Sequence, residues 1–310
     1  MNIREVHQKF STDEECFEYI KQMRWPDGVV RCTVCGNKEI KRVERSVESK
    51  GKNKRGWFYL CLEKTCHNQF SPTSGTIFHD THLPLIVWFH AIAIILNAKK
   101  GISALQLQRD LGIGGYKTAW YLNHRIREVM QEGRINKLGG TVEIDETYLG
   151  GKQRGHKDKL TNKDVVIGMR QRGGELRLVH AKDSTAQTIY EIVAEHVDKD
   201  VEKIMTDENP VYNFKLTQYR DAQHSQIKHK DKIYVRGDVH TNTIESGFSL
   251  FKRGLIGNFH QLSIKHLQRY LNEFCYRFNR HGDENAFIDT VRRLCGFAPL
   301  PFDTLTAEKA

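Results

Sequence analysis

The chain has 310 residues, 39% of them hydrophobic, with 48 Lys and Arg against 38 Asp and Glu, a net charge of +10 at pH 7. This length allows two or three domains, and the positive excess suits a polyanionic partner because each neutralised phosphate releases counterions. The longest apolar run, 83–96, is too short to span a bilayer and the N-terminus lacks an apolar signal core, so we expect a cytoplasmic protein without a membrane partner.

The first part of the chain predicts helices around a cysteine-rich region. Residues 30–72 are rich in Cys, Gly, Lys and Arg and show little helical periodicity. The first helix precedes this region, with Thr12 or Asp13 as its N-cap, and a polar linker at 131–140 follows the last helix. The predicted helices cover residues 12–24, 83–98, 103–111 and 116–130.

Four cysteines in this region have the spacing of a zinc site. Cys32 and Cys35 form a C-x2-C pair, and Cys61 and Cys66 follow after 25 intervening residues. Zinc takes four tetrahedral N or S ligands, and a C-x2-C turn supplies two of them from one tight knuckle. His67 is an alternative to Cys66 as the fourth ligand, and four unrelated buried thiols are the alternative to a metal site. Four protein ligands close a site, so we expect one structural Zn²⁺ in a zinc ribbon.

The two helices between 103 and 130 are separated by a glycine-rich turn. Leu105, Leu111, Ile113 and Ala119 are expected to form the small core between them. In a helix-turn-helix the second helix enters the major groove with its N-terminal side chains on base edges. An ordinary αα-hairpin within a helical domain is the alternative. The residues expected to contact DNA are Tyr116, Lys117, Thr118, Arg125 and Arg127.

From residue 141 the periodicity changes to that of strands. Three alternating or β-branched runs, with a Gly-Gly turn at 173–174, predict a hairpin cluster, after which strands alternate with helices. This order favours an α/β domain with a mixed sheet. A polar, basic insertion at 152–163 predicts a loop. The strands are expected at 141–149, 164–170, 175–181, 203–206 and 232–235, and the helices at 185–197, 243–253 and 263–280.

Three acidic residues stand in recognisable settings in this part. Asp145 and Asp207 end β-branched runs, whereas Glu245 opens a helix and precedes Lys252 by seven residues, about two turns on one face. Carboxylates at strand ends and on a neighbouring helix can hold two divalent ions about 4 Å apart, the arrangement that cuts and joins phosphodiesters. The alternatives are solvated carboxylates at strand ends and a capping box in which Asn242 is the N-cap and Glu245 its partner.

Several short motifs between residues 14 and 281 are recognisable together. They lie at 69–78, 82–89, 117–127, 143–151, 234–246 and 251–254. With them the chain resembles the zinc-ribbon insertion-sequence transposases of bacteria, the group that carries an ISXO-type DDE transposase domain.

The resemblance implies a multidomain α+β protein. Its catalytic domain would be RNase H-like, an α/β domain with a mixed sheet, and would follow a zinc ribbon and a helical helix-turn-helix region. The implied boundaries are 1–78 for the N-terminal helix and zinc ribbon, 79–131 for the helix-turn-helix region, 138–282 for the catalytic domain and 283–310 for a C-terminal tail.

The resemblance also implies the catalytic residues. Asp145, Asp207 and Glu245 would hold two Mg²⁺ or Mn²⁺ ions, and Lys252 with Arg253 would contact DNA near the cut end. Some members of this group are described with Asn in the third acidic position, so Asn242 is a rival to Glu245. We prefer Glu245 because a carboxylate binds Mg²⁺ better than an amide does.

The expected function is therefore that of a DNA transposase. It would bind the terminal inverted repeats of an insertion sequence and catalyse metal-dependent cleavage and strand transfer. Its partners would be double-stranded DNA, as element ends and target, and a second copy of the chain in a dimer on DNA, at the bacterial nucleoid. The alternatives are a zinc-ribbon DNA-binding regulator with an inactive nuclease domain, and an RNase H-like structure-specific nuclease or resolvase.

Overall fold

The structure is a computed structural model that describes residues 1–45, 56–131, 136–150, 163–207, 209–213, 219, 223–227, 240–259 and 262–307. It divides into two compact units. The first takes in residues 1–98, 104–129 and 282–310, and the second takes in residues 99–103 and 130–281. Every helix within the described ranges is too short or too polar to serve as a membrane span.

Ten helices and eight strands are named here in chain order. The helices are α1 (Ile3–Lys9), α2 (Asp13–Arg24), α3 (Leu85–Asn97), α4 (Ala104–Asp110), α5 (Tyr116–Val129), α6 (Ala186–His196), α7 (Asn242–Gly254), α8 (Leu267–Asn279), α9 (Ala286–Gly296) and α10 (Phe302–Thr306). The strands are β1 (Ile40–Glu44), β2 (Trp57–Cys61), β3 (Gln69–Phe70), β4 (Thr141–Leu149), β5 (Asp164–Gln171), β6 (Leu176–Ala181), β7 (Lys203–Asp207) and β8 (Gln223–Ile227).

The helical part of the first unit is organised around α2 and α3. α2 begins with a capping box, in which the Thr12 hydroxyl accepts the Glu15 N–H and the Glu15 carboxylate accepts the Thr12 N–H at 3.0 Å. This confirms Thr12 as the N-cap. Asp13 acts elsewhere, because its carboxylate accepts the N–H groups of Leu85 and Ile86 at the start of α3. The first N–H groups of a helix have no partner within the helix. Asp13 of α2 supplies acceptors for two of them in α3 and so connects the two helices.

The cysteine-rich region forms a three-stranded antiparallel sheet in the order β1-β2-β3. Its strand β2 alternates buried and partly exposed side chains, and the buried Trp57 and Tyr59 pack edge to face with ring centroids 5.0 Å apart. Tyr59 also pairs in register with Phe70 of β3. The aromatic side chains of β2 and β3 thus give this small sheet a core of its own.

The helix pair α4–α5 has the predicted glycine turn, with Gly112 at φ +62°. Its core differs in one position from the prediction. Leu105 is 44% exposed, whereas Leu107 is fully buried beside Ile113 and Ala119. The prediction for Leu105 is therefore wrong. Leu105 and Leu107 are two positions apart, which is more than half a turn of helix, so their side chains face different sides.

The second unit contains a five-stranded mixed sheet in the order β6-β5-β4-β7-β8. β4, β5 and β6 pair antiparallel, and β7 and β8 run parallel to β4. This confirms the predicted mixed sheet and four of the five predicted strands. The predicted strand at 232–235 lies outside the described residues, as does nearly all of the insertion at 152–163.

The sheet buries both of its faces. On one face Val142 and Ile144 of β4 pack with Ile189 and Val193 of α6. On the other face side chains of β5 and β6 pack with α7 and α8, in the buried cluster that contains Leu149, Val166, Leu176, Leu178, Ile244, Phe248, Phe251 and Leu271. Because side chains alternate along a strand, Glu143 and Asp145 lie on the α7 side of β4.

Candidate functional site

The four predicted zinc ligands come together, two from the segment before β1 and two from the end of β2 and the turn that follows it. The Sγ atoms of Cys32 and Cys66 are 3.7 Å apart, those of Cys35 and Cys61 are 3.6 Å apart, and all four lie within 4.8 Å of one another. Four sulfurs at about 2.3 Å from a tetrahedral zinc ion are separated by about 3.8 Å. The donor set therefore fits a closed, structural zinc site.

The structure brings Cys66, and not His67, into this cluster. His67 has φ +44° and follows Cys66 as Gly36, at φ +75°, follows Cys35. Each knuckle thus has a left-handed residue directly after its second cysteine, which turns the chain away from the metal position. The spacing of four residues between Cys61 and Cys66 did not reveal this equivalence.

Asp145 and Asp207 lie side by side on neighbouring strands. Glu143 of β4 is in register with Met205 of β7, and the same offset places Asp145 level with Asp207. Adjacent strands are about 4.8 Å apart, and the two residues have the same parity, so both face α7. The Asp145 carboxylate accepts the N–H of Glu146 at 2.8 Å.

Electrostatics couple these two residues to the third predicted one. Burial, followed by the negative charges of Glu146, Asp207 and Glu245, raises the pKa of Asp145 from 3.8 to about 8. The charges that act on Asp145 are thus all carboxylates. Such a concentration of negative charge favours a cation, and oxygen ligands of this type are those that Mg²⁺ prefers.

The acidic residues are spread more widely than the cysteines. Among the described residues, the four cysteine sulfurs are the only group of three or more possible metal ligands whose atoms all lie within 4.8 Å of one another. Three carboxylates that hold two ions about 4 Å apart need not all contact the same ion, so their oxygens need not all lie within 4.8 Å of one another.

A third acidic residue of the same strand, Glu146, points to the opposite face. Its carboxylate accepts hydrogen bonds from Asn209 Nδ2 at 2.9 Å and from the Tyr212 hydroxyl. The backbone N–H of Asn209 donates a hydrogen bond to Asp207 Oδ1 at 3.0 Å. Asn209 therefore links the middle of β4 to the end of β7. Sequence reasoning missed this role of Asn209 and Tyr212, for which only proximity to Asp207 was a signal.

α7 carries Glu245 and Lys252 on an exposed stripe. Glu245 is exposed in the first turn, Lys252 is partly buried in the last turn, and Arg253 is exposed beside it. The helix begins at Asn242 with Thr241 as N-cap, so the predicted capping box with Asn242 as N-cap is wrong. The Thr241 hydroxyl instead donates to Glu245 Oε1 at 3.2 Å.

The N-terminus of α7 is capped from the sheet. The Glu143 carboxylate accepts the N–H groups of Thr243 at 3.0 Å and Ile244 at 3.1 Å. Sequence reasoning missed Glu143, although it stands two residues before Asp145.

The predicted DNA-contacting residues of α5 fall into two groups. Tyr116, Lys117 and Thr118 are exposed at the start of the helix. Arg125 and Arg127 are 6% and 1% exposed.

Arg125 packs inside the first unit. Its guanidinium lies over the ring of Trp88 at 4.6 Å and that of Tyr121 at 4.9 Å, and burial lowers its pKa. The prediction that Arg125 and Arg127 contact DNA does not fit these positions, because both side chains are buried in the protein. Tyr116, Lys117 and Thr118 at the start of α5 are exposed, so the prediction that they contact DNA remains a prediction.

Comparison with known proteins gives two family matches. Residues 11–69 match the transposase zinc-ribbon domain, and residues 137–279 match the ISXO2-like transposase domain. The first match contains all four clustered cysteines, and the second contains Asp145, Asp207 and Glu245.

A similar protein is found in Halobacterium salinarum (strain ATCC 700922 / JCM 11081 / NRC-1). It is described as an uncharacterized protein in transposable element ISH50. The two chains are 27% identical over 295 residues, which cover 89% of this chain and 95% of the relative. The similarity therefore runs through both compact units.

Proposed function

The chain belongs to the zinc-ribbon, ISXO-type transposases of insertion sequences, and from this premise we propose that it is a DNA transposase. It binds the terminal inverted repeats of its element, cuts the DNA there and joins the cut ends to target DNA. The observation that carries this proposal is the register of β4 and β7, which puts Asp145 level with Asp207 on the face of the sheet that α7, the helix of Glu245, covers. The mixed sheet, with three antiparallel strands followed by two parallel ones, supports an RNase H-like assignment for the second unit.

Asp145, Asp207 and Glu245 are proposed as the ligands of two Mg²⁺ or Mn²⁺ ions. Bound there, the ions would stabilise the attacking and leaving oxygens of an in-line displacement at phosphorus. Asp145 and Asp207 approach from the sheet, and Glu245 approaches from α7. Asn242 is also exposed and precedes Glu245 by three residues, so it remains the rival third ligand.

Lys252 and Arg253 are proposed to bind the DNA near the cut end. Lys252 follows Glu245 by seven residues on the same face of α7, which places it about 10 Å further along the helix axis. An ammonium group at that distance can contact a phosphate one or two nucleotides from the reacting one, because phosphates along one strand are several ångströms apart.

End recognition is proposed for the first unit. Tyr116, Lys117 and Thr118 start α5 and are exposed, as the recognition helix of a helix-turn-helix requires. The zinc ribbon adds a second DNA-binding module, and Cys32, Cys35, Cys61 and Cys66 hold its structural Zn²⁺.

The metal assignment is tested with paired variants in an end-cleavage assay. We expect Asp145→Asn and Asp207→Asn each to abolish Mg²⁺-dependent cleavage while end binding persists, because a lost carboxylate empties or displaces a metal ion. Asp164→Asn is a matched control: Asp164 lies on the adjacent strand β5 and contacts His180 at 3.2 Å. Near wild-type cleavage by either active-site variant would refute the assignment, as would equal loss in the control.

A further inference from the structure

Glu143 is a buried carboxylate that accepts four hydrogen bonds. It is 0% exposed, in the central strand β4, two residues before Asp145. Its Oε2 accepts the N–H of Thr243 at 3.0 Å, the hydroxyl of Thr243 at 2.6 Å and the N–H of Ile244 at 3.1 Å. Its Oε1 accepts Arg172 Nε at 2.8 Å. A buried carboxylate is tolerated only when it is paired in this way.

These contacts replace a local helix cap. The first N–H groups of a helix have no partner within the helix, and the N-cap residue usually supplies one. At α7 the hydroxyl of Thr241 caps no N–H group among the described residues. Glu143 supplies the missing acceptor from about 100 residues away along the chain, and its negative charge is favoured at the positive end of the helix dipole.

Arg172 secures the segment that leads into the helix. Its Nη2 donates to the carbonyl oxygen of His240 at 2.9 Å while its Nε holds Glu143. The ring Nδ1 of His240 lies 3.3 Å from Glu143 Oε1. The chain is therefore held on both sides of Thr241, before the helix by Arg172 and within its first turn by Glu143.

The same face of the sheet brings α7 close to Asp145. Gly168 of β5 is in register with Asp145, and a Cβ atom there would lie 2.5 Å from the Phe248 ring and 2.7 Å from the Ile244 side chain. The helix thus lies directly on the sheet beside Asp145. The packing of Ile244 and Phe248 sets the face that α7 turns to the sheet, and the Glu143 contacts hold its first turn there.

We propose that Glu143 is a positioning residue that sets the place of Glu245 relative to Asp145 and Asp207. Glu245 directly follows Ile244, whose N–H Glu143 holds, and Asp145 stands on the same strand face as Glu143. One side chain therefore fixes the spacing between the metal ligand on the helix and those on the sheet. This inference rests on the proposed function, because that proposal makes these three residues the metal ligands.

Two measurements test the role of Glu143. In the metal-free protein, amide hydrogen exchange of residues 243–245 should be about tenfold faster in Glu143→Gln than in the wild type, because the helix start loses its charged acceptor. In the cleavage assay, the Mg²⁺ concentration for half-maximal rate should rise about tenfold while end binding is unchanged, as for other residues that orient metal ligands.

Glu273→Gln is the matched control. Glu273 is 1% exposed and accepts Arg277 Nε at 3.0 Å in α8, so it is an equally buried and paired carboxylate away from the start of α7. This variant should leave both readouts at their wild-type values even if it lowers the melting temperature. If Glu143→Gln does not fold, Thr243→Val removes the 2.6 Å hydroxyl donor and should shift both readouts in the same direction by a smaller factor.

The outcomes separate this inference from the proposed function. Equal exchange rates at residues 243–245 in the wild type and in Glu143→Gln would overturn the inference, and so would faster exchange with an unchanged Mg²⁺ requirement. A wild-type protein that cuts no DNA would refute the proposed function. The exchange experiment in the metal-free protein would still decide whether Glu143 holds the helix.

Discussion

Replacing Asp145 by Asn should stabilise the metal-free protein at alkaline pH. Burial and the neighbouring carboxylates of Glu146, Asp207 and Glu245 raise the pKa of Asp145 to about 8, against about 3.9 for Asp in an unfolded chain. The folded protein therefore holds this proton more tightly than the unfolded chain does. The stability that results is fully present below about pH 4 and is lost as the pH rises through about 8.

The size of the effect follows from the two pKa values. The difference between 3.8 and about 8 corresponds to about 6 kcal/mol at 1.36 kcal/mol per pH unit, which is an upper bound. Asp145 is partly accessible to water and the site can relax around the charge, so we expect at least about a third of this bound, roughly 2 kcal/mol. In a unit of this size, that free energy corresponds to a rise of about 4–8 °C in melting temperature.

Thermal unfolding between about pH 5 and about pH 9 measures this effect. Without added divalent ions, the melting temperature of Asp145→Asn should exceed that of the wild type by an amount that grows up to about pH 8 and then levels off. Added Mg²⁺ should raise the melting temperature of the wild type and leave the variant unchanged. Asp200→Asn serves as the control, because Asp200 is an exposed carboxylate of the same unit. A difference that does not change with pH would refute the electrostatic reasoning.

Further variants test the remaining assignments. Glu245→Gln should abolish cleavage, whereas Asn242→Ala should retain it, because Asn242 is an exposed first helical residue and not the N-cap; the reverse result would make Asn242 the third ligand. Cys32→Ser should lose about one zinc ion per chain in metal analysis and impair end binding first; unchanged zinc content would contradict the site. Lys117→Ala should narrow the difference in affinity between inverted-repeat and random DNA in competition binding; an unchanged ratio would make α5 only scaffold. Arg127→Ala should lower the stability of the first unit by about 2 kcal/mol in thermal unfolding, because its side chain is buried; a variant with unchanged stability and weakened DNA binding would show instead that Arg127 contacts DNA.

Local patterns sufficed where local physics decides the structure. The C-x2-C spacing indicated a knuckle because two thiolates of one tight turn reach the same ion. Alternation around Asp145 and the β-branched run before Asp207 predicted strands, and the two residues lie on neighbouring strands, Asp145 in the middle of β4 and Asp207 at the end of β7. In these cases the periodicity of the side chains itself determines which face is buried.

Long-range contacts explain what the sequence did not reveal. The cap of α7 comes from Glu143, so the local match of Asn242 and Glu245 to a capping box was misleading. The strand β8 at Gln223–Ile227 is polar and lacks the alternation that would have marked it.

Burial of charge was equally hidden from local patterns. The sequence predicts that Arg125 is available to DNA, but in the structure its guanidinium packs on Trp88 of α3. Which side of a helix is covered depends on elements that are distant in sequence, and a charged side chain gives no local sign that it will be paired inside.

A DNA-joining assay decides whether the protein is a transposase. Purified protein is incubated with Mg²⁺, target DNA and labelled DNA that carries the inverted repeats flanking its gene, and the products are separated by size under denaturing conditions. We expect covalently joined end–target products with the wild type and none with Asp145→Asn, which should still bind the ends. Cleavage without joining would instead indicate a nuclease or resolvase, and end binding without cleavage by the wild type would indicate a DNA-binding regulator.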